Sequence, residues 1–211
     1  MKKFLVLILA GAMLALPACR KHKFKPAPVV RTALEVQHAA THRIAVYDFI
    51  EGEVGHCSAT AIGPHALLTA QHCFKDSNVV RLDNEKVTTT IYAALLDGND
   101  HVIYLVDRTF TDWAGVNERS LIAGEPVHMW GNPGRNSDVY RDGYFDKIEK
   151  IKHDPLSWLK FMLPIYPGDS GSGIFDANGS VVAVISMGNT SAENHDQPLA
   201  FTQGQLDATQ P

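Results

Sequence analysis

From Arg43 to the C-terminus, apolar residues fall in short runs separated by turn signals. The runs are Ile44–Ile50, Ser58–Ile62, Ala66–Thr69, Val87–Leu95, His101–Val106, Pro126–Trp130, Gly143–Ile151, Trp158–Leu163, Gly173–Asp176, Val181–Ser186 and Leu199–Thr202. Val, Ile, Tyr and Phe are frequent in them, which suits a pleated, half-buried surface and predicts β-strands. Gly63-Pro64, Asp97-Gly98, Asn132-Pro133-Gly134 and Asn178-Gly179 read as the turns between them. A helical period shows only around Val116–Ile122. There is no internal repeat and no dinucleotide or P-loop glycine fingerprint. Many short strands between turns predict an all-β sandwich or barrel.

The N-terminus has a different pattern. Lys2 and Lys3 precede an uncharged apolar run, Phe4–Ala18. The run is too short to span a bilayer comfortably, so residues 1–18 read as a secretory signal peptide. It closes on Leu16-Pro17-Ala18-Cys19, which resembles a bacterial lipobox and makes Cys19 the expected lipidation site. Ordinary cleavage after Ala18, leaving a free thiol, is the alternative. Residues 19–42 then read as a tether, basic at its start and stiffened by Pro26 and Pro28. Beside anionic headgroups each basic residue is worth about 1 kcal/mol. The expected location is the bacterial cell envelope, lipid-anchored and facing the periplasm, with secretion as the alternative.

Charge sharpens this division. The 211 residues carry a formal net charge of −4. Residues 1–31 hold seven basic groups and no Asp or Glu, which leaves the remainder at −11. An acidic body of this kind is not expected to bind nucleic acid through its phosphates.

Three segments carry candidate chemistry. Gly168-Asp169-Ser170-Gly171-Ser172-Gly173 frames a serine with glycines. Serine needs a base to become nucleophilic, and flanking glycines let backbone N–H groups converge on one point. His72, in Thr69-Ala70-Gln71-His72-Cys73, offers an imidazole that titrates near neutrality and can take and return the proton. A carboxylate should orient that ring. Asp97, Asp100 and Asp107 are candidates, and Asp100 leads because an apolar run begins directly after it.

Taken together, the three segments resemble the trypsin/chymotrypsin-like serine peptidases, in the style of the small bacterial members. Thr69 to Cys73 resembles the family's T-A-x-H-C motif. Asp100 opens a D-x-A-L-L-like strand with Val102 in the usual small position. Gly168 to Gly173 resembles the nucleophile loop. Gly124-Glu125-Pro126-Val127 and Gly131-Asn132-Pro133 resemble the entry to the second barrel. The resemblance implies two six-stranded antiparallel β-barrels, 43–115 with His72 and Asp100 and 116–211 with Ser170, and an active site in the cleft between them.

It further implies a triad of Ser170, His72 and Asp100, with the N–H groups of Gly168 and Ser170 as oxyanion hole. Substrate would lie along Ser186-Met187-Gly188, a counterpart of the family's S-W-G strand. Pro164, Ile165 and Leu199 would line the pocket for the residue before the cleaved bond, P1. Residues Pro198 to Thr202 would form the strand that closes this pocket. None of the lining residues is acidic, so an apolar or permissive pocket is expected. Cys57 and Cys73 would form a disulfide; a zinc site from His56, Cys57, His72 and Cys73 is the rival. No metal or other cofactor is expected. The expected partners are a peptide substrate and the membrane, with the protein a monomer. An I-V-G-G activation segment is absent from the sequence, which leaves open what pairs with Asp169. The alternative to a peptidase is an inactive binding module on the same fold.

Overall fold

The computed structural model describes residues 31–48, 52–73, 79–82, 87–134, 138–150, 156–188 and 193–211. Within them the chain is built almost entirely of antiparallel strands. The first half contains β1 (Thr41–Asp48), β2 (Gly52–Gly63), β3 (Ala66–Ala70), β4 (Val79–Leu82), β5 (Val87–Leu96) and β6 (His101–Val106). They close into a barrel in the order β1-β2-β3-β6-β5-β4. Closure leaves no free edge, and the inward residues Ile44, Leu67, Leu82, Val102 and Val106 fill it.

The second half contains β7 (Pro126–Gly131), β8 (Val139–Lys150), β9 (Ser157–Met162), β10 (Gly173–Phe175), β11 (Val181–Val184), β12 (Met187–Gly188) and β13 (Glu193–Asp196). These form a seven-stranded sheet in the order β11-β10-β7-β8-β9-β13-β12. Its two edge strands, β11 and β12, follow one another in the chain with only Ile185 and Ser186 between them, so the sheet curls back toward itself. Val127, Met129, Phe161, Leu163 and Ile174 make its core. A third cluster joins the halves, with Ile62, Leu68 and Ile103 from the first against Phe175, Val181 and Val184 from the second. The fold is chymotrypsin-like, as the resemblance implied, with one closed six-stranded barrel; the second half departs from the expected six-stranded barrel in being a seven-stranded, partly closed sheet.

Several local expectations need correcting. Val116–Ile122 forms no helix; it runs as irregular chain with one bridge, Val116 to Val181. Its apolar spacing is used by two cores at once, Val116 packing on the joining cluster and Leu121 on the second-half core. Leu199–Thr202 is not a strand. The strand beside β12 is β13, earlier in the chain, where Asn194 pairs with Gly188. Pro198 has no N–H to give to a ladder, which ends the pairing before it.

Part of the segment read as tether is also folded. Ala33–Ala40 forms a helix, α1, capped by Thr32 and Glu35 in a reciprocal capping box. Ala40 is buried, and Gln37 Oε1 lies 2.6 Å from His128 Nε2 on β7. Arg31 is ion-paired with Asp112. The signal peptide, Cys19 and the first part of the tether lie outside the described residues. No helix among the described residues is long and apolar enough to cross a membrane.

Candidate active site

β3 ends in a short 3-10 turn, Gln71–Cys73, that swings His72 out of the barrel. β3 pairs with β6, Ala70 opposite His101, so the residue before β6 lies beside that turn. That residue is Asp100. All four of its polar atoms are engaged. Its carbonyl accepts from Gln71 N at 2.9 Å. Oδ1 accepts from His72 N at 3.0 Å, and Oδ2 lies 2.6 Å from His72 Nδ1. Its own N–H donates to Gln197 Oε1 at 2.8 Å.

The rival carboxylates are occupied elsewhere. Asp97 is buried against His101, Oδ2 to Nδ1 at 2.7 Å. Burial raises its pKa, but the His101 contact and the N–H groups of Asn99 and Ala200 outweigh burial and leave it below the ordinary value. Asp107 is held below its ordinary value by the Thr89 hydroxyl and the Thr90 N–H. Only Asp100 of the three faces His72.

Ser170 is held against the same turn. Its carbonyl accepts from Ser58 N on β2 at 2.7 Å and lies 3.8 Å from Cys73 Sγ. Cys57 and Cys73 are bonded to each other, 16 residues apart, so the barrel wall, the His72 turn and the Ser170 loop share one anchor. Cys57, His72 and Cys73 donors lie within 4.8 Å of one another. The 3-10 turn supplies the bend that an extended chain lacks, yet both sulfurs are used by the disulfide, so this set does not fit zinc.

The loop before Ser170 has one conformation open to it. Gly168 has φ +102°, and a Cβ there would strike the His56 ring and the Asn132 carbonyl. Pro167 O accepts from Gly134 N at 2.8 Å. A trans peptide points its N–H opposite its C=O, so this bond turns Gly168 N–H to the other side. Gly168 O in turn accepts from Ser58 Oγ at 3.0 Å, and Ser58 Oγ accepts from Asn132 Nδ2 at 2.8 Å. Among the described residues neither Gly168 N–H nor Ser170 N–H has an acceptor. Two such donors on loop positions 168 and 170 can serve an anion.

Asp169 is fully buried and meets Arg141 Nη2 at 2.6 Å. Burial pushes its carboxyl up, and Arg141 with the N–H groups of Tyr166 and Asn132 pulls it back. Arg141 also stacks over the Tyr166 ring, 5.4 Å to the centroid. This supplies the Asp169 partner that sequence reasoning left open. Arg141 sits on an alternating strand with nothing in its neighbours to mark it.

A groove of about 440 Å³ opens beside the pair, lined by His72, Asp100, Trp158, Ser186 and Gln197. Ser186 is thus beside the candidate base as expected, and Met187 and Gly188 continue from it as β12. Ile165 is buried in the second-half core, and Pro164 precedes it. Leu199 departs from expectation: it lines a separate cavity with Leu121, Ile148, Leu159 and Val182. The inward residues next to β12 are Asn194 and Asp196, both buried and both missed. Asp196 accepts from Ser186 N at 2.7 Å and from Asn194 Nδ2 at 2.8 Å.

Residues 57–184 match the trypsin-like peptidase domain family. The chain belongs to that family. The segment includes His72, Asp100 and Ser170 in this order. Among solved structures, the chain is similar to the active form of the Rv3671c protease of M. tuberculosis at 16% identity and TM-score 0.69, over 87% of this chain and 93% of that one. The inactive form of the same protease aligns at 18% identity and TM-score 0.66, over 84% and 92%. A serine endoprotease from Yersinia pestis aligns at 18% identity and TM-score 0.64, over 86% and 68%. No curated protein sequence matches the chain. The trypsin-like peptidase domain implies proteolysis with a peptide substrate, and these solved structures share its fold.

Proposed function

We propose that the protein is an exported serine endopeptidase, tethered to the bacterial envelope through Cys19, in which Ser170, His72 and Asp100 form the triad. The observation that carries it is the His72 Nδ1–Asp100 Oδ2 contact of 2.6 Å at the edge of a groove, with the Ser170 loop beside the same turn, its carbonyl 3.8 Å from Cys73 Sγ. Ser170 Oγ attacks the peptide carbonyl carbon while His72 Nε2 takes its proton. Asp100 holds the ring with Nδ1 protonated and stabilises the imidazolium. The carbonyl oxygen gains charge between the N–H groups of Gly168 and Ser170. The peptide C–N bond then breaks, and the leaving amine takes the proton from His72. Water, with His72 again as base, releases the acyl group from Ser170.

Substrate adds as an extended strand along β12. Pro164 and Ile165 carry no charge, which argues against Lys or Arg at P1. The uncharged walls favour an apolar P1. A fluorophosphonate probe tests the catalytic reading. Wild-type protein should label at Ser170 and Ser170→Ala should not; a folded wild type that stays unlabelled overturns it. Asp100→Asn should lower kcat by about 10⁴. Mass spectrometry of the mature N-terminus tests the tether: an unmodified Cys19 rejects it.

A further inference from the structure

We propose that Gln197 is a positioning residue that latches the candidate catalytic aspartate to the substrate-binding strand. The inference rests on the serine-peptidase reading above. Of the four polar atoms of Asp100, three are bonded within the His72 turn and strands that also hold the base. The fourth, its N–H, leaves the first half of the molecule and donates to Gln197 Oε1 at 2.8 Å. Gln197 directly follows β13, and β13 pairs with β12 through Met187–His195 and Gly188–Asn194.

Asp196 tightens that connection, because its carboxylate accepts the N–H of Ser186, the residue just before β12. Two hydrogen bonds, Ser186 N–H to Asp196 and Asp100 N–H to Gln197, joined through the Asp196–Gln197 peptide bond, therefore connect Ser186 to Asp100. The chain beyond Gln197 is fastened to the same turn. Pro198 O accepts from Asn99 Nδ2 at 2.8 Å, and Ala200 N donates to Asp97 Oδ2 at 3.2 Å. Residues 197–200 thus act as a strap from the second half onto the Asp97–Asp100 turn. Gln197 is the member whose side chain both bonds Asp100 and lines the groove with His72. The donor at Asp100 is an N–H, so the Gln197 oxygen is the atom committed to it. Without that acceptor the N–H of Asp100 would be left without its partner, and the carboxylate would gain freedom to turn away from His72.

The test compares Gln197→Met, similar in size and lacking the amide acceptor, with Gln197→Glu, which keeps an oxygen there. Purified full-length proteins are assayed on one peptide substrate, and the far-downfield proton between His72 and Asp100 is followed by NMR. Gln197→Met should lower kcat about tenfold, the cost of one hydrogen bond. KM should stay within about twofold, and the downfield signal should weaken or shift. Gln197→Glu should retain kcat within about threefold of wild type and keep the signal, as restoring the acceptor requires. Wild-type kcat in the Met variant overturns the proposal. So does a change confined to KM, which would make Gln197 a groove-lining residue only. An equal loss in both variants, or an unchanged downfield signal in the Met variant, overturns it too. If wild-type protein shows the downfield signal yet resists the fluorophosphonate, the peptidase reading fails, and the signal in the Met variant still decides the role of Gln197.

Discussion

On the proposed peptidase reading, single residues around the Ser170 loop divide into those that would touch substrate and those that hold the loop. Ser58 belongs to the second kind. It is fully buried, gives its N–H to Ser170 O and its hydroxyl to Gly168 O, and is itself held by buried Asn132. Ser58→Ala leaves Gly168 O without a donor while Ser170 O keeps its bond. It should therefore lower kcat through the oxyanion site, by about tenfold, with KM little changed. Steady-state kinetics on one peptide checks this, and Asn132→Ala should give a smaller loss in the same direction. Arg141 offers a harder test, because Asp169 is buried and carries its charge beside it. Arg141→Met strands that carboxylate and should cost about 3–5 kcal/mol in a denaturant titration, together with activity. Adding Asp169→Asn should recover part of the stability. His72 and Ser170 stood out in the sequence as candidates because glycines and small residues frame them. Asp100 needed the structure to separate it from Asp97 and Asp107. Ser58, Asn132 and Arg141 were not legible, since each works through a partner distant in sequence.

Strands of apolar residues were read well because burial on one or both faces imposes their composition. β6 was predicted at its full extent, and β3 and β7 to within a residue at one end. β13 was not read, and the reason is chemical: Glu193, Asn194, His195 and Asp196 look like loop. Its inward side chains are polar because they bond one another and the Ser186 N–H rather than packing on the core. The strap after it was misread as a strand for the converse reason, since Leu199 and Phe201 are apolar but pack against the joining cluster without pairing. α1 was missed because it is short and shows little apolar periodicity. It is defined instead by its cap and by Gln37 and Ala40. Thr32→Ala removes one half of the capping box and should destabilise the protein by about 1 kcal/mol, measured by thermal or urea unfolding. Gln37→Ala should cost a comparable amount by leaving the half-buried His128 without its bond, and neither change should alter kcat. A chain lacking residues 31–40 should lose more than either point variant, since it also exposes the surface under Ala40.

At the scale of the whole molecule, the halves are joined by an apolar cluster, by α1, by the strap and by the bonds from Ser58 to the Ser170 loop, and the first half carries a buried histidine, His42, whose protonation bears on stability. His42 lies on β1, buried beside Phe110 with ring centroids 5.1 Å apart. Burial, helped by the nearby Arg108 cation, pushes its pKa down to about 4. In the unfolded chain the same ring titrates near about 6.5. Between those values the unfolded state binds the extra proton and the folded state does not. Stability must therefore rise with pH through this window and be free of the penalty above it. The penalty should be full only near pH 4, at about 3 kcal/mol. Carboxylates whose pKa values are lowered, such as Asp97 and Asp107, add losses of the same sign at lower pH. The raw unfolding curve therefore does not isolate His42, but the difference from a variant does. His42→Gln, neutral throughout, should lose packing at neutral pH and close the gap with wild type as pH falls from about 6.5 toward 4. Urea midpoints of both proteins across that range decide it. Parallel curves would mean that the folded protein accommodates the charged ring and that Phe110 and Arg108 do not exclude it. A converging pair would show that the folded protein excludes the charged His42 ring, as its burial beside Phe110 and Arg108 requires.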